Sequence, residues 1–174
     1  MPIGIIIFLL VLLFLFVVYL VLISPKRSKM LAPFTAARYA HRGLHNETRA
    51  ENSMSAFRAA VEAGYGIELD VQLSKDGVVT VFHDYSLLRM TGVDKKLNEL
   101  DFSQLKTLSL DNTEEKIPSL KEVLSLIDGK VPLLVELKGE TTDTSLCKKT
   151  AELLKEYYGE YCIESFFVFH YFIS

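Results

Sequence analysis

Residues 67–73 read Ile-Glu-Leu-Asp-Val-Gln-Leu, with apolar and polar side chains in strict alternation. A period of two predicts a β-strand, because successive side chains of a strand point to opposite faces. One face of this strand is apolar, and the other carries Glu68, Asp70 and Gln72. The stretch therefore predicts a strand with an acidic face, packed on one side against a hydrophobic core.

Strand and helix patterns alternate on either side of this segment. Asn52 is a candidate N-cap for a helix that ends at Gly64, and Ser119 with Glu122 has the pattern of a capping box. Alternating strands and helices indicate a parallel α/β architecture. The predicted strands are 38–41, 67–73, 78–82, 131–137 and 161–165, and the predicted helices are 53–63, 119–127 and 144–158.

The acidic side chains of two strands form a candidate metal site. Glu68 and Asp70 are two residues apart and share a strand face. Glu136 lies in a later apolar strand, where a buried charge is costly unless it has a partner. Carboxylates without clustered Cys or His favour Mg²⁺ or Ca²⁺ over zinc. A solvent-facing strand surface is the alternative explanation of the pair.

Two histidines end predicted strands and are candidates for acid–base catalysis. His41 closes the first strand and His83 the third. A two-residue hairpin at Asp76 and Gly77 would place Asp70 opposite His83, and parallel barrel strands would place both at carboxyl ends. Both arrangements bring carboxylate and imidazole together, with one imidazole protonating a leaving alkoxide and the other accepting a proton from an attacking hydroxyl. His45 and His170 are interpreted as structural.

Two basic residues follow these groups in the chain and fit an anionic substrate. Arg42 offers a planar fork of donors and Lys138 a point charge, which suits phosphate oxygens and the charge that develops on them. Either residue alone could equally be a surface ion-pair partner.

The amino terminus predicts a membrane helix. Residues 5–23 form an unbroken apolar run in which Tyr19 alone has a polar tip, and a helix of this length spans roughly 30 Å, the thickness of a bilayer core. A cleaved signal peptide is the alternative, disfavoured because no basic residue precedes the run. Lys26, Arg27 and Lys29 follow it, so the positive-inside rule predicts a single-pass protein with a cytoplasmic domain. The predicted division is a transmembrane anchor at 1–24, a basic linker at 25–35 and a catalytic-type domain at 36–174.

Charge and cysteine content narrow the function further. The 22 acidic and 19 basic residues all lie beyond residue 24, so that part of the chain is mildly acidic and lacks a basic stripe. This composition argues against nucleic acid as a partner. Cys147 and Cys162 form no short-spaced pair and are interpreted as small buried hydrophobes.

The ordered motifs of the chain resemble those of the glycerophosphodiester phosphodiesterase family. The resemblance covers residues 40–139 well and continues less specifically to Phe166. Six elements match in order: His41-Arg42-Gly43, Glu51-Asn52, Glu68-x-Asp70-Val71, Asp76-Gly77, His83-Asp84 and Glu136-x-Lys138.

The resemblance implies a (β/α)8 TIM-type barrel with its site at the carboxyl ends of the strands, and hydrolysis of glycerophosphodiesters to an alcohol and a glycerol phosphate. Related family members act on lysophospholipids at membranes. Residue by residue it implies metal ligands at Glu68, Asp70 and Glu136, an acid–base pair at His41 and His83, phosphate contacts at Arg42 and Lys138, and supporting roles for Glu51 and Asn52, although Asn52 could serve only as a helix cap.

Length separates this chain from a complete barrel of about 250 residues. We expect about the first five strands, followed by an apolar run at 166–173 where the resemblance fades, as in a truncated or alternatively spliced product. An unclosed sheet would expose edges that a partner could complete.

Three interpretations follow. One is a membrane-anchored, metal-dependent phosphodiesterase, and another is a non-catalytic membrane-bound fragment that pairs with or regulates a full-length form. A phosphoinositide-cleaving or phospholipase-type barrel is disfavoured by the Glu-x-Asp and Glu-x-Lys elements.

Overall fold

A computed structural model of the protein describes residues 3–23, 32–139 and 143–165. The chain divides into two compact units, Met1–Ala32 and Pro33–Ser174. The predicted basic cluster at 26–29 and the apolar run at 166–173 lie outside the described residues. The short helix α2, Ala32–Ala36, forms at the end of the segment that the sequence predicts as a linker.

The first unit contains one long helix, α1, Ile3–Ile23. Its residues 3–22 have a mean hydropathy of 3.6, and their large apolar side chains are exposed. The helix is long and apolar enough to cross a membrane, and a signal sequence at this position would meet the same criteria.

The second unit alternates strands and helices, as the sequence predicts. Its strands are β1 Tyr39–His41, β2 Gly66–Leu73, β3 Val79–Val81, β4 Leu133–Leu137 and β5 Tyr161–Glu164. Its α-helices after α2 are α3 Met54–Glu62, α4 Leu88–Thr91, α5 Phe102–Leu105, α6 Leu120–Ile127 and α7 Ser145–Lys155, and a 3-10 turn spans Leu97–Glu99.

Four of the five described strands run parallel, in the order β1-β2-β4-β5, and β3 pairs with β2 outside this path. Helices α3, α6 and α7 pack on one face, where Ile67, Leu69 and Val71 lie beside Leu133 and Val135 in a fully buried core. The opposite face carries the polar side chains of β2. The parallel α/β prediction is therefore confirmed, with the acidic face of residues 67–73 on the side away from the helices.

The third strand differs from both arrangements considered for it. β3 is antiparallel to β2, so the parallel alternative is wrong here. The hairpin register is also one residue from the predicted one, because Val71 pairs with Val81 and the Phe82 amide donates to the Asp70 carbonyl. The Ser74 amide donates to the Val78 carbonyl, and the Val78 amide donates to the Ser74 hydroxyl. These two residues therefore enclose a turn of three residues rather than two. Phe82, and not His83, therefore lies opposite Asp70.

The helix caps test two further predictions. The capping box of α6 is confirmed, since the Ser119 hydroxyl accepts from the Glu122 amide and the Glu122 carboxylate accepts from the Ser119 amide. The predicted N-cap of α3 is wrong by one residue: Ser53 has the extended cap conformation, and its hydroxyl accepts from the Ala56 amide. The side chain of Asn52 therefore does not cap the helix.

Candidate functional site

Three carboxylates meet on the polar face of β2 and β4. Asp70 and Glu136 are direct partners in the parallel register, and Glu68 lies two residues before Asp70 on the same face. Ligand oxygens of the three residues lie within 4.8 Å of one another, and all three are buried. Among the residues that the structure describes, no other group of this kind brings three potential metal-ligating side chains together.

This donor set fits a hard divalent cation. Carboxylate oxygens are the ligands that Mg²⁺ and Ca²⁺ prefer, and Asp70 Oδ1 is a buried acceptor without a hydrogen bond. Burial and the neighbouring charge of Asp70 raise the pKa of Glu68 to about 7. A bound cation would relieve this repulsion between buried negative charges.

Two basic residues from different strands border the carboxylates. Lys138 Nζ lies 2.7 Å from Glu136 Oε1 and 3.3 Å from Asp70 Oδ1. Arg42 Nε lies 3.4 Å from Asp70 Oδ2, and the Arg42 amide donates to Glu68 Oε2 over 3.1 Å. Burial alone would lower the pKa of Lys138, but the hydrogen bond to Glu136 and the charge of Asp70 raise it above its usual value. Lys138 is therefore charged at neutral pH, and both basic side chains lie close to the acidic cluster.

Backbone geometry directs Arg42 and Asn52 into this cluster. Arg42 has φ +56° and Asn52 has φ +52°, and the Asn52 amide donates to the Arg42 carbonyl over 2.9 Å. The Asn52 side chain, 1% exposed, donates to Asp70 Oδ2 over 3.0 Å. Asn52 is thus a buried hydrogen-bond partner of Asp70. The interpretation of Asn52 as a helix cap did not predict this contact.

The two histidines occupy different environments. His41 ends β1, is largely exposed, and its Nε2 lies 3.8 Å from Glu68 Oε2. His83 follows β3, and its Nδ1 lies 2.6 Å from Asp84 Oδ1. Because Nδ1 has an acidic partner, Nε2 of His83 is the ring nitrogen that is available to a ligand.

Glu51 lies between two arginines. Its Oε1 accepts from Arg42 Nη1 over 3.0 Å and from Arg89 Nη2 over 2.6 Å. Although burial opposes ionisation, the hydrogen bond from Arg89 and the charge of Arg42 lower the pKa of Glu51 below its usual value. Glu51 therefore holds Arg42 in place as a carboxylate.

Three neighbouring residues escaped the sequence interpretation. Gln72 is buried, and its amide nitrogen lies about 3 Å from the carbonyls of Phe82, His83 and Asp84, so it fixes the loop that carries His83. Its place two residues after Asp70 on the polar strand face was the available signal. Glu164 of β5 pairs with Glu136 in register, and burial together with the charge of Glu136 raises its pKa. No sequence pattern indicated Arg89.

Comparison with known proteins identifies the family. Residues 41–160 match the glycerophosphoryl diester phosphodiesterase family. The human lysophospholipase D GDPD1 is 32% identical over 141 residues, which cover 74% of this chain and 44% of that protein. The glycerophosphodiester phosphodiesterase of Caldanaerobacter subterraneus is 36% identical over 127 residues, covering 68% of this chain and 52% of its own length. The chain thus spans about half the length of the curated relatives it matches.

Solved structures agree in fold. A phosphodiesterase of Oleispira antarctica, in complex with the product sn-glycerol-3-phosphate, superposes with a TM-score of 0.72 at 28% identity, covering 79% of this chain and 61% of that one. The glycerophosphodiester phosphodiesterase of Thermotoga maritima gives a TM-score of 0.67 at 34% identity, covering 77% of this chain and 55% of that one. The sheet described above therefore corresponds to part of the TIM-type barrel of these proteins, and the chain belongs to the glycerophosphoryl diester phosphodiesterase family.

Proposed function

We propose that this chain is a membrane-anchored phosphodiesterase that hydrolyses glycerophosphodiesters or lysophospholipids to an alcohol and a glycerol phosphate-type product. The observation that carries the proposal is the buried cluster of Glu68, Asp70 and Glu136 with Arg42 and Lys138 beside it. Acidic oxygens and cations within a few ångströms of one another suit a phosphate whose charge is shared between a metal and basic side chains.

Glu68, Asp70 and Glu136 are the proposed ligands of a divalent cation, Mg²⁺ or Ca²⁺. When bound, the cation supplies positive charge at the phosphate. Asn52 supports this arrangement by donating to Asp70 Oδ2, so that Asp70 Oδ1, which accepts no hydrogen bond but lies 3.3 Å from Lys138 Nζ, is the proposed oxygen for the metal.

Arg42 and Lys138 are the proposed phosphate contacts. Arg42 Nε is buried and makes no hydrogen bond within the chain, although it lies 3.4 Å from Asp70 Oδ2, so its N–H can donate to a phosphate oxygen. Glu51 fixes the other end of the guanidinium through Nη1. Lys138 contacts two of the proposed ligands, so it balances their charge as well as that of the substrate.

His41 and His83 are the proposed acid–base pair. One imidazole accepts the proton of the attacking hydroxyl, and the other donates a proton to the leaving alkoxide. The Asp84 carboxylate at Nδ1 orients the ring of His83. His41 lies at the end of β1 beside Glu68, on the edge of the acidic cluster.

The relatives support the substrate class. The human lysophospholipase D and the bacterial glycerophosphodiester phosphodiesterase are named for these two kinds of phosphodiester, and the Oleispira enzyme binds sn-glycerol-3-phosphate as its product. Both substrate types share the glycerol phosphate unit that the proposed metal, arginine and lysine would recognise.

The proposed organisation is an anchor at residues 1–24, a basic linker at 25–35 and the phosphodiesterase domain at 36–174, with the domain on the cytoplasmic side of a bilayer. The apolarity of α1 and the basic residues after it support this orientation. Within the described sheet β1 and β5 are edge strands, so a partner that supplies further strands has a place to bind. The orientation is tested by adding protease to sealed vesicles and comparing cleavage of the domain with cleavage of a marker protein on the cytoplasmic side.

Activity of the full chain in detergent micelles tests the function. Turnover of glycerophosphocholine and of a lysophosphatidylcholine is measured with Mg²⁺, with Ca²⁺ and with a chelator. We expect metal-dependent turnover that His41→Ala and Glu68→Ala abolish, while the matched control His45→Ala, an exposed histidine outside the cluster, retains it. Circular dichroism establishes that each sample is folded. A folded wild type without turnover would overturn the proposal and favour the non-catalytic fragment.

A further inference from the structure

The guanidinium of Arg89 lies between two carboxylates that come from different loops. Its Nε donates to Asp84 Oδ2 over 2.5 Å, and its Nη2 lies 3.1 Å from Asp84 Oδ1. On its other side, Nη2 donates to Glu51 Oε1 over 2.6 Å and Nη1 to Glu51 Oε2 over 3.3 Å. One side chain therefore makes paired contacts with both carboxylates, a geometry that only the planar arginine fork provides.

Each of these carboxylates holds a different functional side chain. Asp84 Oδ1 contacts His83 Nδ1 at 2.6 Å, and Glu51 Oε1 accepts from Arg42 Nη1 at 3.0 Å. The contacts form a continuous row from Arg42 through Glu51, Arg89 and Asp84 to His83. The proposed phosphate-binding arginine is thereby connected to a proposed acid–base histidine without passing through the metal ligands.

The helix that carries Arg89 has a fixed position. Its neighbours Leu87 and Met90 are buried in a hydrophobic cluster with Leu97, Leu105 and Ile117, and Gly92 ends the helix in the left-handed conformation. The side chain itself is half-exposed. Buried neighbours hold the backbone of Arg89, so its guanidinium is aimed at the two loops by packing as well as by charge.

We propose that Arg89 is a positioning residue, which orients His83 through Asp84 and Arg42 through Glu51. The inference rests on the proposed function for the roles of His83 and Arg42. Held by Arg89, Asp84 keeps its oxygen at Nδ1 of His83, and the neutral imidazole carries its proton there and presents Nε2 for proton exchange. Without Arg89, Asp84 is free to rotate away and the imidazole is free to change tautomer.

The tautomer of His83 tests the proposal without requiring turnover. The full chain is labelled with ¹⁵N-histidine, placed in detergent micelles and studied by long-range ¹H–¹⁵N correlation, with His83→Gln to assign the signal. We expect the Nδ1–H form in the wild type and a mixture with the Nε2–H form in Arg89→Met. The matched control is Arg58→Met, which removes an exposed arginine from α3. An unchanged Nδ1–H signal in Arg89→Met would overturn the proposal.

Kinetics provide the second test. We expect Arg89→Met to lower kcat about 10- to 100-fold, the range typical of residues that orient an active-site group through a hydrogen bond. Because Arg89 acts partly through Asp84 and partly through Glu51, the double variant with Asp84→Asn should lose less than the sum of the two single losses. Arg89→Lys keeps the charge but not the fork, so it should restore only part of kcat. Full restoration by lysine, or additive losses in the double variant, would contradict a positioning role. A wild type without turnover would remove the proposed function, and the tautomer measurement would still decide the role of Arg89.

Discussion

The side-chain amide of Asn52 donates a hydrogen bond of 3.0 Å to Asp70 Oδ2, and both side chains are buried. The bond joins the loop after β1 to the middle of β2, across 18 residues of sequence. Asn52 adopts φ +52°, a conformation that asparagine tolerates better than most residues. The contact shows how a residue next to a helix start becomes part of the acidic cluster.

Replacement of Asn52 should therefore cost more than backbone strain alone. We expect Asn52→Ala to lower the free energy of unfolding by about 2–4 kcal/mol, since it combines a strained left-handed alanine with a lost hydrogen bond to a buried carboxylate. The matched control is Asn112→Ala, at φ +57° but exposed, where strain alone should cost about 1 kcal/mol. Denaturant unfolding followed by circular dichroism measures both, and equal losses would contradict the role assigned to the Asn52 amide.

Divalent cations should stabilise the folded chain through Glu68, Asp70 and Glu136. A ligand that binds only the native state adds about 2.7 kcal/mol at 100 times its Kd, so Ca²⁺ or Mg²⁺ should raise Tm by several degrees. Glu136→Gln removes one proposed ligand and should abolish this cation-dependent increase.

The control for the cation experiment is Glu62→Gln, which neutralises an exposed carboxylate on α3. It should retain the full increase in Tm. The same increase in Glu136→Gln would show that the cation binds elsewhere.

The ion pair between Asp84 and Arg89 should make stability depend on pH in the acidic range. The hydrogen bond from Arg89, with a further one from His83, lowers the pKa of Asp84 to about 2. A carboxyl whose pKa is lower in the folded state stabilises the fold above its unfolded pKa near 4, and this contribution is lost as pH falls towards 2.

Asp84→Asn should accordingly lower the free energy of unfolding at pH 7 by about 1 kcal/mol, after allowance for solvent screening of this partly exposed pair. The difference from wild type should shrink as the pH falls from about 4 to about 2. Urea unfolding across this range measures it, and a difference that is constant with pH would show that the charge of Asp84 is not responsible.

Gly43 of the His-Arg-Gly motif should be intolerant of a side chain. It has φ +82°, and a Cβ added there would lie 2.9 Å from Ala56 Cβ and 3.0 Å from the Ala56 carbonyl carbon. Gly92 has φ +73° but open space around it, so it is a matched control for the backbone conformation. We expect Gly43→Ala to destabilise by about 1–3 kcal/mol more than Gly92→Ala, because the loop after β1 must move away from α3. Thermal unfolding of the two variants gives the comparison, and equal values would exclude the steric explanation.

Local pattern was sufficient to predict much of this fold. The alternation in residues 67–73 assigned Glu68, Asp70 and Gln72 to one face, since a period of two is a property of any extended backbone. Ser119 and Glu122 predicted the start of α6 because a capping box involves residues only three apart. The apolar run at the amino terminus predicted α1 by length and composition alone.

Contacts between distant segments decided what the sequence left open. The direction and register of β3 follow from a turn enclosed by Ser74 and Val78, and that pairing shifted Phe82 into the place expected for His83. The contact of Asn52 with Asp70, the place of Glu164 beside Glu136 and the paired contacts of Arg89 join residues from different elements. Sequence pattern was enough to show which residues could be strand, helix or ligand, because those preferences are local. Tertiary structure alone decided which of them meet, because a hydrogen bond or ion pair between remote residues exists only after the sheet has brought their backbones together.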